Sequence, residues 1–334
     1  MNNTTPLLAI TMGDPAGVGP EIALKAVSTI KPPLQSSTLI IGNLDILQKT
    51  ALLVSVSQQL HSVSQTADMR PGNINIVDVR EPGLLEFVIG KPQPQCGLAA
   101  YNYIIKGIEM ALAGQVDAIV TCPINKEALK MAGILYPGHT EIFADKTHSP
   151  HYSMMFACDN VYVVHVTTHV SLKQAIRMIT QERILEHTRL LNEALKNLGI
   201  PLPRIAIAGL NPHAGENGLF GDEELLHIRP AVEQAVNEGI NASGPYPPDT
   251  VFMRAFSGEF DGIVSMLHDH GFVALKSRNF DDGVNSTLGL PIIRTSVGHG
   301  TAYDIAGKGI ASEKSLIAAL HAAQQMALHR RHTM

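Results

Sequence analysis

Residues 260–276 read FDGIVSMLHDHGFVALK, a short apolar run that ends abruptly in His268, Asp269, His270 and Gly271. An apolar run of this length, bounded by turn-type residues, suits a strand buried on both faces, as in a parallel sheet. Packing gives no reason to close such a strand on two imidazoles and a carboxylate. Ligand binding does: in open α/β sheets, ligands sit in the crevice beyond the carboxyl ends of the strands.

The rest of the chain repeats that alternation. PLLAITMG (6–13), STLIIGN (37–43), VDAIVTCP (116–123), VYVVHVTTHV (161–170), RIAIAGLNP (204–212) and PIIRTSV (291–297) read as strands. PEIALKAVSTI (20–30), LAAYNYIIKGIEMALAG (98–114), NKEALKMAG (125–133) and SEKSLIAALHAAQQMALHR (312–330) have helical periodicity. Residues 171–198 carry one or two helices, closed by Gly199. Strands separated by helices predict βαβ units and a mostly parallel sheet covered on both faces. No internal repeat or linker-like shift in composition marks a boundary. The expected division is approximate and discontinuous: a cofactor-side subdomain over 1–135 and 275–334, and a metal, substrate and dimerisation subdomain over 136–274.

Composition narrows the function. The 334 residues are 45% hydrophobic and 16% charged, enough for a large core. A net charge of -5 and no basic run beyond the terminal HRRH give no electrostatic footprint for nucleic acid or anionic membrane, so neither is expected as a partner. MNNTTPLLAITMG has neither the basic start nor the cleavage pattern of a signal peptide, which predicts a cytoplasmic protein. Cys96, Cys122 and Cys158 form no C-x-x-C pair and are expected as buried thiols. The unusual count is 15 His beside no Trp and 7 Tyr, so histidine is the residue to follow.

Three strand ends deliver an imidazole: His169 after VYVVHVTT, His213 after RIAIAGLNP, and His268. Neutral imidazole is the commonest nitrogen ligand of divalent metals, and three protein ligands leave positions open for substrate. The expected metal triad is therefore His169, His213 and His268, although residues so far apart match no short metal signature. Taken singly, each histidine has an ordinary reading as a strand-end residue bonded to backbone. A second polar group is expected in loops on the same crevice: His139 and Thr140 in YPGHTE, then Lys276, Asn285 and Arg294. Arg forks onto phosphate or carboxylate oxygens, Lys supplies a point charge, and hydroxyl and amide groups complete an anion site. Arg294 follows LPII and is expected at a buried strand's end.

TMGDPAGVGPE (11–21) is neither a Rossmann fingerprint nor a P-loop, because Ile22 stands at the third glycine position and no G-K-[ST] follows. It reads as a tight strand-to-helix turn. GHGTAYDIAGKG (298–309) is the better nucleotide-site candidate. Gly298, Gly300, Thr301 and Ala302 are small and would let a flat cofactor approach the backbone, with His299 among the expected contacts.

TMGDPAGVGPE, TCPINKEAL (121–129), GHTE (138–141), NPHAGE (211–216), HDHG (268–271), VNSTLGLPIIRTSV (284–297) and HGTAYDIAGKG (299–309) together resemble the 4-hydroxythreonine-4-phosphate dehydrogenase family. The similarity runs from about residue 7 to residue 325. It implies a homodimeric three-layer α/β/α protein with two subdomains around a cleft, related to the isocitrate and isopropylmalate dehydrogenases. NAD would be the oxidant, and a divalent cation, zinc, cobalt, manganese or magnesium, would be essential. The resemblance places the metal histidines in the motifs of His169, His213 and His268, two from one subunit and one from its partner. It places substrate contacts at His139, Thr140, Lys276, Asn285 and Arg294.

The implied reaction is oxidation of the 3-hydroxyl of a phosphorylated four-carbon acid, with decarboxylation to a three-carbon phosphorylated ketone. Lys276, Asp249 and Asp269 are the candidates for proton transfer or for orienting metal ligands. Asp249 reads equally as a helix N-cap before TVFMRAF. The family's usual Y-H-D-Q-G and D-H-G-T-A are altered here by Leu267, His270 and Gly298. These altered neighbours favour D-threonate 4-phosphate over 4-hydroxythreonine 4-phosphate, with D-erythronate 4-phosphate as a further candidate. A metal-dependent phosphatase and a catalytically silent sugar-phosphate sensor are the alternatives from other classes.

Overall fold

The computed structural model describes residues 5–84, 86–278 and 283–333. Its strands are β1 (Leu8–Thr11), β2 (Thr38–Gly42), β3 (Leu60–Ser62), β4 (Ile74–Asp78), β5 (Ala118–Thr121), β6 (Ser153–Cys158), β7 (Val161–Thr167), β8 (Ile205–Ala208), β9 (Ala242–Tyr246), β10 (Gly262–Leu267), β11 (Val284–Leu288) and β12 (Ile293–Val297). The helices are α1 (Gly19–Thr29), α2 (Leu44–Leu53), α3 (Pro94–Leu112), α4 (Lys126–Met131), α5 (His139–Lys146), α6 (Leu172–Met178), α7 (Gln181–Asn197), α8 (Arg229–Asn237), α9 (Val251–Phe256), α10 (His268–Arg278) and α11 (Lys314–Thr333). Among the described residues, no helix is long and apolar enough to cross a membrane.

The chain divides into two compact units, residues 1–150 with 290–334, and residues 151–289. The boundaries expected from sequence, 135/136 and 274/275, both fall earlier. Packing explains the difference at each. Ile142 and Phe143 of α5 join Ile104, Ile108, Ile119 and Leu129 in one cluster, which keeps α5 in the first unit. Leu275 of α10 and the β11–β6 pairing keep residues 275–288 in the second.

In the first unit the strand order is β3-β4-β2-β1-β5-β12, and every pairing is parallel. Ile119 packs against α3, α4 and α5 on one face. Its register partner is Arg294, whereas the next pair is Val120 with Thr295. Successive residues of a strand point to opposite faces, and Thr295 accordingly donates its hydroxyl to Ala319 O of α11 on the other face (2.9 Å). Helices thus cover both sides.

In the second unit the order is β11-β6-β7-β10-β8-β9, with β6 antiparallel to both neighbours and the remaining pairings parallel. Alternation again sorts the core. Val164, Val166, Ile205, Ile207, Val264 and Met266 pack with α7 and α8. Val161, Val163, Ala206, Ala208 and Ile263 pack with α9 and α10. Each unit is a mostly parallel sheet between two helical layers, the expected three-layer α/β/α architecture.

The anion-binding group expected in loops lies in regular elements. His139 and Thr140 open α5, Lys276 lies in α10, Asn285 in β11, and Arg294 inside β12 rather than at a strand's end. The run FVALK contains no breaker, so the helix that starts at His268 continues through it. Arg294 is accommodated within a strand because Thr121 Oγ1 accepts from its guanidinium (2.8 Å).

Candidate active site

The histidines singled out from the sequence as metal ligands all fall in the second unit, each just beyond a strand. β10 ends at Leu267 and His268 opens α10 directly. The next residue is Asp269, whose Oδ1 lies 2.8 Å from His268 Nδ1. A carboxylate only accepts, so Nδ1 carries the proton and Nε2 keeps its lone pair. That bond also holds the exposed Asp269 carboxyl below the usual aspartate range. His169, two residues past β7, stands with its ring centroid 5.6 Å from that of His268. Its backbone is left-handed (φ 48°), an uncommon conformation for a residue with a side chain and one that recurs at functional sites. His169, His268 and Asp269 line one cavity of about 160 Å³.

His213 is held differently. Residues 213–217 all have positive φ: His213 54°, Ala214 52°, Gly215 75°, Glu216 44° and Asn217 56°. A left-handed turn costs on the order of 1 kcal/mol for each residue that is not glycine. It must therefore be imposed by its surroundings. Its entrance is bound by Glu224, which is 2% exposed. Glu224 Oε1 accepts from Leu210 N (2.7 Å) and Asn211 N (2.8 Å), and Oε2 accepts from Asn211 Nδ2 (2.9 Å). His213 lines a second cavity of about 350 Å³ with Leu210, Pro212, Pro248, Asp249 and His270. The N-cap position of α9 is Thr250, whose side chain makes no capping bond, so Asp249 is not the cap considered from sequence and instead lines this cavity.

The chain thus brings His169 and His268 together and places His213 at a separate cavity. No group of three His, Cys, Asp or Glu residues arranged for a metal ion is present among the described residues of one chain. For the pair that does meet, the donor chemistry fits a divalent cation: two imidazoles, one oriented by a carboxylate.

Beneath His268 lies His165, in β7, a residue that the sequence motifs do not single out. It is 2% exposed, neither ring nitrogen has a hydrogen-bond partner, and burial pushes it down to about 3. Its ring stacks on Phe272 (4.8 Å, 3°) and lies 5.9 Å from His268. Gly271 allows the approach, since a Cβ there would collide with His165 Nε2. His187 of α7 is also buried, which pushes it down to about 4. A signal for His165 does exist, as it interrupts the apolar run VYVVHVT. For Glu224 there is none, because a glutamate in GDEELLHI reads as a surface charge.

The expected anion contacts divide between the units. In the first, Arg294 is 2% exposed, burial pushes it down to about 9, and its guanidinium lies 5.6 Å from the centroid of Phe143. It is still a cation at neutral pH. Burial, then Arg294, hold His139 well below the usual histidine range, and its Nε2 is buried without a hydrogen-bond partner. A neutral imidazole beside a buried cation is suited to an anion's hydrogen bonds. In the second unit, Lys276 Nζ lies 5.2 Å from the Phe272 centroid, and that ring is 4.4 Å from His268. Asn285 Oδ1 is buried without a hydrogen-bond partner.

The candidate cofactor segment, Gly298–Ala302, is anchored to the first glycine-rich turn. Val18 N donates to Thr301 O (3.0 Å), and Gly298 N donates to Ser315 Oγ (3.1 Å). Further along, Tyr303 Oη donates to Asp14 Oδ2 (2.7 Å). The fixed backbone leaves open space where a Cβ of Gly300 would point, room for a flat ring against the chain.

Residues 35–323 match the family described as pyridoxal phosphate biosynthetic protein PdxA. The chain is 46% identical to the 4-hydroxythreonine-4-phosphate dehydrogenase of Desulforapulum autotrophicum, over 96% of this chain and 95% of that one. It is 45% identical to the D-threonate 4-phosphate dehydrogenase of Salmonella typhimurium, over 97% and 99%. Among solved structures, a 4-hydroxythreonine-4-phosphate dehydrogenase from Klebsiella pneumoniae superposes with a TM-score of 0.88 at 40% identity, covering 97% of this chain and all of that one.

Proposed function

Because this chain belongs to the PdxA family, we propose that it is an NAD-dependent, divalent-metal-dependent dehydrogenase of phosphorylated four-carbon acids. The product is a three-carbon phosphorylated ketone and carbon dioxide. With D-threonate 4-phosphate, the proposed substrate, the ketone is dihydroxyacetone phosphate. When bound, the cation would supply Lewis-acid activation of an alcohol and NAD would accept a hydride.

The observation that carries this reading is the His169–His268 pair with the Asp269 carboxylate behind it. These two histidines would hold the cation, and His213 of the partner subunit would complete the set. Asp269 is committed to His268 Nδ1, which leaves Lys276 and Asp249 for proton transfer. In the first unit, the Arg294 guanidinium suits two oxygens of a phosphate or carboxylate, with His139 and Thr140 adding hydrogen bonds. In the second, Lys276 and Asn285 add a positive charge and an amide. Gly298, His299, Gly300, Thr301 and Ala302 would lie against NAD.

His270 supports threonate over hydroxythreonine. It lines the cavity with His213 and Asp249, burial pushes it below the usual histidine range, and its Nδ1 is buried without a hydrogen-bond partner. A neutral imidazole can both donate to and accept from a substrate hydroxyl, where the glutamine usual at this position of the motif would present an amide.

The test is parallel kinetics on D-threonate, D-erythronate and 4-hydroxythreonine 4-phosphates, following NADH absorbance with and without a chelator. The expected result is NADH formation fastest with D-threonate 4-phosphate, abolished by chelator and restored by a divalent metal. Phosphate release without NADH would replace the proposal with a phosphatase. Binding without turnover would replace it with a sensor.

A further inference from the structure

We infer that Glu224 is a positioning residue that sets the left-handed turn of residues 213–217 and thereby places His213. This rests on the reading of His213 as a metal ligand.

The turn's own sequence does not explain its shape. His213, Ala214, Glu216 and Asn217 all adopt positive φ without being glycine, so the conformation has to be imposed from outside. Glu224 is where that constraint enters. It lies in a wide π-helical turn, Glu224–Ile228, that leads into α8, a conformation frequent at functional sites. From there its carboxylate reaches back across the loop to the backbone N–H groups of Leu210 and Asn211 and to the side-chain amide of Asn211. Asn211 Nδ2 also donates to Glu223 (2.7 Å), so this side chain joins the two segments.

Close packing makes the arrangement specific. A Cβ on Gly215 would lie 2.6 Å from Glu224 Oε2, and a Cβ on Gly209 would lie 2.9 Å from Ala214 Cα. With the carboxylate in place, the loop fits against it only because both positions lack a side chain. Glu224 itself does not line the His213 cavity, so any effect on metal or substrate is transmitted through the loop.

Two variants approach the contact from opposite sides. Glu224→Gln keeps the side chain's shape but presents an NH2 group to N–H donors. Gly215→Ala keeps the carboxylate, crowds it and also strains a backbone held at φ 75°, so Glu224→Gln is the variant that isolates the carboxylate. In the apo protein, amide exchange of residues 209–217 should quicken in both variants, while β7, β10 and α7 keep their protection. Titrated with cobalt(II) alone, both variants should bind about 10–100-fold more weakly than the parent, the usual loss when a ligand's supporting partner is removed. Their cobalt absorption spectra should move toward that of His213→Ala. Unchanged exchange in Glu224→Gln would overturn the clamp. Faster exchange with parental cobalt affinity, in a protein whose His213→Ala variant binds weakly, would overturn the positioning role. If His213→Ala itself binds cobalt as the parent does, the metal reading of His213 fails, and the clamp is then decided by the exchange rates.

Discussion

His268 Nδ1 lies 2.8 Å from the carboxylate of its sequence neighbour Asp269, a side chain that is 83% exposed. Because Asp269 has so few packing contacts to lose, its replacement separates orientation of the ligand from folding. Asp269→Asn should leave the thermal midpoint within about 2 °C, as expected for a surface substitution. It should weaken divalent-metal binding by about 10–100-fold, because an amide can donate to Nδ1 and so favour the wrong tautomer. Calorimetric titration of the metal checks this, and parental affinity would remove Asp269 from the account.

Gly271 and His165 make the opposite prediction, one of stability. A methyl group at Gly271 would be driven into the His165 ring, which is itself stacked on Phe272. Gly271→Ala should destabilise the protein by about 1–3 kcal/mol, the usual range for overpacking. Urea unfolding of the metal-free protein measures it.

Arg294 separates stability from function. A buried cation is costly, and an apolar side chain of similar volume often leaves stability unchanged or raises it. Arg294→Met should keep the parental unfolding midpoint or exceed it, while KM for the phosphorylated acid rises at least about tenfold, the loss expected for one charge-assisted pair. A parental KM would show that the guanidinium does not contact substrate.

His165 and His187 are two of the histidines through which burial ties stability to pH. Both titrate lower in the folded chain, about 3 for His165 and about 4 for His187, than the ordinary value of 6.5. The unfolded chain therefore binds more protons between those values, and stability rises with pH there. Their contribution is complete above pH 6.5 and is lost as pH falls toward 4 and then 3. Each contributes a slope of up to about 1.4 kcal/mol per pH unit within its window. Urea midpoints of the apo protein from pH 7.5 to 5 test this, and His187→Leu should flatten the slope.

How much of this is legible in the sequence depends on whether a residue's role is local. The strand-to-helix transition at His268 is readable, because an apolar run stopping at HDHG is unusual within a few residues. The strands β6 (SMMFAC), β9 (ASGPY) and β11 (VNSTL) are not, since each contains residues that also suit loops and helices. Only sheet pairing makes them strands. Arg294 reads as a strand-end residue because a guanidinium inside a parallel sheet is rare, and its acceptor Thr121 lies 173 residues away. Glu224 is invisible for the same reason: its meaning comes from backbone N–H groups 13 and 14 residues earlier, folded into a turn that composition does not announce.

The proposed sharing of the site between subunits is tested most directly by complementation between two variants expected to be inactive, His213→Ala and His268→Ala, coexpressed in one cell and assayed for NADH formation from D-threonate 4-phosphate with added divalent metal. If His169 and His268 of one chain work with His213 of its partner, each mixed dimer holds one intact site. Random pairing in a symmetric dimer then restores about a quarter of parental activity. A coexpressed preparation as inactive as either variant alone would contradict the account.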